Sequence, residues 1–165
     1  MKENRKNMIL SRRQFIKTTG VTCTALLMSG SLPSLLKPAF AAELKEENIN
    51  DVLKKYFGNR HIEVSHVDLR APIIAENGAV VPIMITSDLP METNNYVKKM
   101  YIFVDGNLNP YIASIDLTPA NGKAAFELRI KMRKTSNVRA IVETNKGQLY
   151  GAIRSVKVTI GGCGG

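Results

Sequence analysis

One cysteine stands between two pairs of glycines in Gly161-Gly162-Cys163-Gly164-Gly165, and no residue of the chain is better suited to covalent chemistry. Its thiolate can attack or be joined to another sulfur. Four glycines remove every neighbouring side chain, and glycine reaches backbone conformations closed to other residues. The segment therefore reads as a flexible C-terminal arm made of Gly161, Gly162, Cys163, Gly164 and Gly165. Five extended residues reach roughly 17 Å, at about 3.3–3.6 Å each. Bare backbone is also narrow enough to enter a cleft that a loop with side chains could not. A free thiol has a pKa near ~8.5, and lowering it takes a nearby base, cation or helix N-terminus. The arm supplies none of these, and the carboxylate of Gly165 disfavours the thiolate. The thiol should thus be activated inside a partner's site. These are the properties of a covalent carrier with no catalytic residue of its own.

The opposite end of the chain explains why this thiol stands alone. Ser11-Arg12-Arg13-Gln14-Phe15-Ile16-Lys17 has the twin arginines and following apolar residue of a Tat export signal. A weakly apolar stretch from Gly20 to Leu36 follows, broken by Ser29, Gly30, Ser31 and Pro33. It makes a signal h-region and a poor membrane span, so no stable membrane association is expected. Ala39-Phe40-Ala41 then offers a small-residue cleavage site. Residues 1–41 are read as a signal peptide, 42–160 as the folded domain and 161–165 as the arm. Cleavage removes Cys23 and leaves Cys163 as a lone thiol in an exported, periplasmic protein. A leftover cysteine in such a compartment suggests an intermolecular bond or a reactive thiol. Seven of the 23 basic residues and one of the 14 acidic ones lie before Ala42. The net charge falls from +9 to +3 on their removal. The high pI therefore describes the signal and is no argument for a nucleic-acid partner. Tat cargo is folded before export and often travels with a cofactor or a partner. With no cofactor motif in the chain, a bound partner is the better expectation.

The elements that must carry the arm are mostly strands. A short amphipathic helix is predicted at about 46–57, with Ile49, Val52, Leu53 and Tyr56 on one face and Gly58 ending it. Strand patterns follow at Ile62–Leu69, Val80–Thr86, Val97–Val104, Tyr111–Leu117, Ala124–Met132, Val138–Thr144 and Gln148–Ile160. Turn signals separate them at Glu76-Asn77-Gly78, Asp105-Gly106-Asn107, Thr118 to Gly122 and Asn145-Lys146-Gly147. Alternation is clearest where Phe126, Leu128, Ile130 and Met132 interleave with Glu127, Arg129, Lys131 and Arg133, which is a half-buried strand. About seven short strands with frequent turns predict an all-β, immunoglobulin-like antiparallel sandwich.

Other candidates carry less. His61 and His66 are five residues apart, which places them on opposite faces of one strand and makes a shared metal site unfavourable. Neither a nucleophile elbow, nor a Cys-x-x-Cys pair, nor a phosphate-binding glycine loop occurs. No metal or cofactor is therefore expected. Arg129, Lys131, Arg133 and Lys134 form a basic stripe, read as a solvated face or as a docking patch for an acidic partner. Four methionines remain after Ala42, scattered as core-filling residues would be.

The terminal pentapeptide, at the end of a Tat-exported β domain, resembles the SoxY family of the periplasmic sulfur-oxidising (Sox) system. Ile74-Ala75-Glu76-Asn77-Gly78-Ala79-Val80-Val81-Pro82-Ile83 is similar to that family's segment at the start of its domain. The resemblance implies an immunoglobulin-like sandwich in a heterodimer with SoxZ. It implies that Cys163 is joined oxidatively to thiosulfate by the haem enzyme SoxAX. SoxB would then remove sulfate, and SoxCD, where present, would oxidise the remaining sulfane sulfur. Two other readings stay open. One is an exported interaction module covalently dimerised through Cys163. The other is a ubiquitin-like carrier forming a thiocarboxylate at its terminal Gly-Gly, a chemistry that needs ATP and the cytoplasm. Export is the first point to test. Changing Arg12 and Arg13 to Lys should leave unprocessed precursor in the cytoplasm on fractionation, whereas normal periplasmic processing would contradict a Tat signal.

Overall fold

The computed structural model describes residues 45–162. The signal segment 1–41, with Arg12 and Arg13, lies outside them, as do Cys163, Gly164 and Gly165. Helix α1 spans Ile49–Phe57 and starts three residues later than the sequence pattern suggests. Asn48 is the reason: its side chain accepts from the Asn50 N–H at 2.8 Å and caps the first turn. Gly58 ends the helix with a positive φ of 64° and donates its N–H to the Lys54 carbonyl.

Ten strands follow, two of them only two residues long: β1 Ile62–Glu63, β2 Val67–Arg70, β3 Ile74–Asn77, β4 Val81–Ser87, β5 Met91–Glu92, β6 Asn95–Val104, β7 Tyr111–Asp116, β8 Ala125–Ile130, β9 Ser136–Thr144 and β10 Leu149–Ile160. The stretch expected as one strand, Ile62–Leu69, is split because His66 adopts a positive φ of 57°, which no strand continues through. The residues read as a turn at Glu76-Asn77 are instead the end of β3.

The larger sheet runs β1-β10-β9-β6-β5, and each edge is shared by two strands. Beside β10 lie β1 at its start and β3 at its end, both parallel to it. Beside β6 lie β5 and β7, both antiparallel. The sandwich is thus antiparallel throughout its centre, with parallel pairing confined to one margin. The smaller sheet, β2-β4-β8, is antiparallel. Pro82 sits in β4 beyond Met84, where the β2 ladder ends, so β4 has one neighbour there and the missing N–H is tolerated. Together these elements make the immunoglobulin-like architecture that the strand spacing predicts.

Between the sheets, Leu69, Val81, Ile83, Ile85 and Ile130 face Met100, Ile102, Val104, Val138, Ala140, Val142 and Val156. Each fully buried aliphatic side chain of this kind contributes roughly 1.5–3 kcal/mol. A bulge in β6, where the register slips between Val97 and Lys99, explains why Val97 and Met100 both point inward. On the outer face of the larger sheet, α1 buries Val52 and Phe57 against Phe103, Ile141 and Leu149. Tyr56, expected on the buried stripe, lies at the margin of this cluster, stacked on Tyr111 at 4.8 Å.

The same bulge brings Lys98 to a buried carboxylate. Glu143 is 5% exposed and receives Arg60 Nη1 at 2.8 Å, Tyr101 Oη at 3.0 Å and Lys98 Nζ at 3.2 Å. Burial pushes its pKa up, but the hydrogen bonds from Arg60, Lys98 and Tyr101 outweigh that and hold it below the ordinary carboxylate value. Burial, with the bond to Glu143, pushes the Tyr101 hydroxyl up to about 12. A depressed carboxyl stabilises the fold above the unfolded-state pKa, near ~4.3, and loses that contribution as pH falls through its native value. Glu143→Gln should therefore cost about 1–2 kcal/mol at neutral pH, since Arg60 and Lys98 remain partly solvated. In denaturant titrations the difference from the parent should shrink steadily below about pH 4. A pH-independent difference would mean that packing, not charge, holds this cluster.

Candidate functional site

The Cys163 thiol follows Gly162 directly in sequence, so the site is built from whatever holds Gly162. Strand β10 ends at Ile160 beside β3, with Lys157 opposite Ile74, Val158 opposite Ala75 and Ile160 opposite Asn77. The chain then leaves the sheet, but it is still held. Gly78 donates its N–H to the Ile160 carbonyl at 2.7 Å and accepts from the Met132 N–H at 2.7 Å. Met132 in turn accepts from the Gly162 N–H at 3.0 Å. Three separate segments, around residues 78, 132 and 161, are joined here through main-chain groups alone.

The approach is too close for side chains. A Cβ on Gly78 would strike the Met132 carbonyl and lie 2.8 Å from the Gly162 nitrogen. A Cβ on Gly162 would lie 2.7 Å from the Gly78 carbonyl and 2.8 Å from the Ala79 nitrogen. Separations under 3 Å force something to shift, and the neighbours are backbone atoms apart from the stiff, β-branched Val158 side chain, 2.9 Å from the Gly78 position. Gly162 is buried. The five-residue arm expected from the sequence is therefore anchored over its first two residues, Gly161 and Gly162.

Other residues hold the clasp in place. Asn107 is 1% exposed, donates its amide to the Lys131 carbonyl at 2.8 Å and accepts from the Arg133 N–H at 2.9 Å. It grips the chain on either side of Met132 and presents that residue's N–H and carbonyl to Gly78 and Gly162. Thr135 bonds both the Val158 N–H, at 2.9 Å, and its carbonyl, at 3.3 Å, steadying the end of β10. Asn77 turns the chain at Gly78 by accepting from the Ala79 N–H at 2.8 Å. The segment 74–83 that carries the family resemblance is thus β3, this turn and the start of β4. Sequence reasoning took Asn107 and Gly78 only as turn residues. The position of Gly78 inside the resembling segment was the available signal.

The basic stripe divides in the same region. Arg133 and Lys134 are both paired with Glu46, while Arg129 and Lys131 are exposed. His66 meets Asp88 at 2.8 Å and the edge of the Tyr150 ring, and His61 lies exposed before β1. The structure does not bring the two histidines together at a site. Among the described residues, no three of His, Cys, Asp and Glu come close enough to hold a metal, and no helix is long and apolar enough to cross a membrane.

Comparison with known proteins places this geometry. No curated protein matches the sequence. Residues 53–163 match the family model described as sulfur oxidation protein SoxY. Among solved structures, the sulfur carrier protein SoxY from Chlorobium limicola f thiosulfatophilum is similar at 37% identity and a TM-score of 0.58, covering 68% of this chain and 97% of its own. A superoxide reductase (neelaredoxin) from Ignicoccus hospitalis aligns at 15% identity and a TM-score of 0.52, over 70% of this chain and 96% of its own, a likeness of fold alone. With the family's model matched over 111 of 165 residues, from within α1 through the clasp to Cys163, the chain belongs to the SoxY family of sulfur oxidation proteins.

Proposed function

We propose that this protein is a periplasmic sulfur carrier that holds thiosulfate-derived groups covalently on Cys163 and presents them to separate enzymes. The observation that carries the reading is the clasp: the residue before Cys163 is buried and bonded to the body, so the thiol departs from a defined point. Family membership supplies the chemistry. Loading joins the Cys163 sulfur to the outer sulfur of thiosulfate. The thiolate and the thiosulfate dianion together give up an electron pair to a haem-containing partner and form a cysteine S-thiosulfonate. Hydrolysis of that adduct then consumes one water, releases sulfate with its proton and leaves a persulfide on the cysteine. The carrier contributes attachment and positioning, and the partners contribute the redox and hydrolytic steps.

The reading extends to a stable partner subunit, SoxZ, exported with this chain. Support comes from exposed aliphatic residues set among Arg70 and Arg154 on the margin of the larger sheet. Ile153 is 47% exposed and shares one shallow groove with Val64 and another with Ile73, which are 77% and 82% exposed. Exposed aliphatic residues gathered on one margin are the mark of a surface that a partner covers.

Cys163→Ser tests the attachment site. A hydroxyl cannot form the S–S bond, so incubation with thiosulfate and the partner enzymes should give no mass increase. The melting temperature should stay unchanged, since the substitution lies beyond the clasp. An adduct on the Ser variant would remove Cys163 from its role.

A further inference from the structure

We propose that Gly78 is the positioning residue for the carrier thiol: by leaving room for the backbone of Gly161 and Gly162, it fixes the point from which Cys163 departs and so sets how far the thiol reaches. The inference rests on the reading of Cys163 as the attachment site, and it concerns a residue 85 positions before it in sequence. Gly78 serves the clasp in two ways. Its N–H and carbonyl tie the end of β10 to Met132, and its missing Cβ lets Gly162 donate to the Met132 carbonyl. Asn107 holds Met132 for both contacts.

The consequence is a matter of chain length. With Gly162 seated, the Cα of Cys163 lies ~3.8 Å from a fixed Cα, the span of one trans peptide. With the seat lost, the last anchored residue is Ile160, and Cys163 hangs three residues away, at up to roughly 10 Å. The thiol would then sample a far larger volume for each productive approach to a partner's cleft, and a longer tether lowers the effective concentration of what it carries. Its intrinsic reactivity would not change, because no charge is added or removed beside it.

Two variants open the seat from opposite sides. Gly78→Ala places a methyl group against Met132 and Gly162, and Gly161→Ala places one against the Arg133 carbonyl. The second lies at the end of the chain's last strand and leaves the core untouched, so it stands if the first folds poorly. Ile83→Val, deep in the sandwich, serves as a variant with reduced stability and an intact seat. Each is made in the processed chain bound to its partner subunit. Amide hydrogen exchange is followed at Gly162, beside the rate of thiosulfate loading by the haem enzyme and the rate of alkylation by a small thiol reagent. In both seat variants, Gly162 should exchange at least about tenfold faster, as for a locally opened amide. Enzymatic loading should fall severalfold while alkylation is not slowed. Ile83→Val should lower the melting temperature and change none of the three. Wild-type loading rates in both seat variants would overturn the proposal, as would a Gly162 amide that already exchanges in the parent like that of an unstructured peptide. If the parent itself takes no adduct on Cys163, the carrier reading fails, and exchange at Gly162 alone still decides whether Gly78 holds the seat.

Discussion

Three stretches of backbone meet around Gly78 at distances that admit no Cβ, and the arrangement of the chain's C-terminal region depends on that contact. Main-chain groups that are buried must be paired, because an unpaired one costs about 1–3 kcal/mol. At the clasp the pairing is met by residues from three places in the sequence: Gly78 after β3, Met132 after β8 and Gly162 after β10. The larger sheet contributes β10 and β3, while the smaller one supplies the chain leaving β8 and the chain entering β4. The two sheets are therefore joined at this end through hydrogen bonds as well as through the apolar core.

The rest of the domain serves to hold these segments in register. The buried core between the sheets is aliphatic apart from its methionines, with Val81, Ile83 and Ile85 of β4 facing Val138, Ala140 and Val142 of β9 and Phe126 packed at its edge. Strand β10 is fixed along its length, by β9 on one side and by β1 and β3 in turn on the other. Polar fixtures sit where strands end or break: Asn107 beside Met132, Thr135 beside Val158 and Ser87 Oγ on the His66 carbonyl at 2.7 Å. Helix α1 covers the outer face of the larger sheet with an aromatic cluster.

Much of this was legible in the sequence because strand periodicity depends on local pattern. The alternation from Phe126 to Met132 marks β8 and the segment after it, and β4, β6, β7, β9 and β10 fall within a few residues of their sequence patterns. What was not legible depends on tertiary context. His66 at positive φ breaks an apparently continuous strand, and β3 forms only because β10 lies alongside it. A glycine in an Asn-Gly pair reads as a turn residue whether or not another backbone passes within 3 Å of it. So the arm was visible as a row of glycines, but the anchoring of its first two residues was not. Asn107 was hidden for the same reason, since a buried amide that grips a distant strand looks in sequence like any other asparagine in a turn.

The account centres on a thiol that carries sulfur from one enzyme to the next, displayed from a fixed root. Intact-mass analysis of the chain, purified from the periplasm of cells oxidising thiosulfate, tests this most directly when followed by mapping of its C-terminal peptide. The account predicts a population carrying one or more additional sulfur atoms, lost on reduction and confined to the peptide that contains Cys163. A homogeneous unmodified thiol under those conditions, or a modification mapped to any other residue, would contradict it.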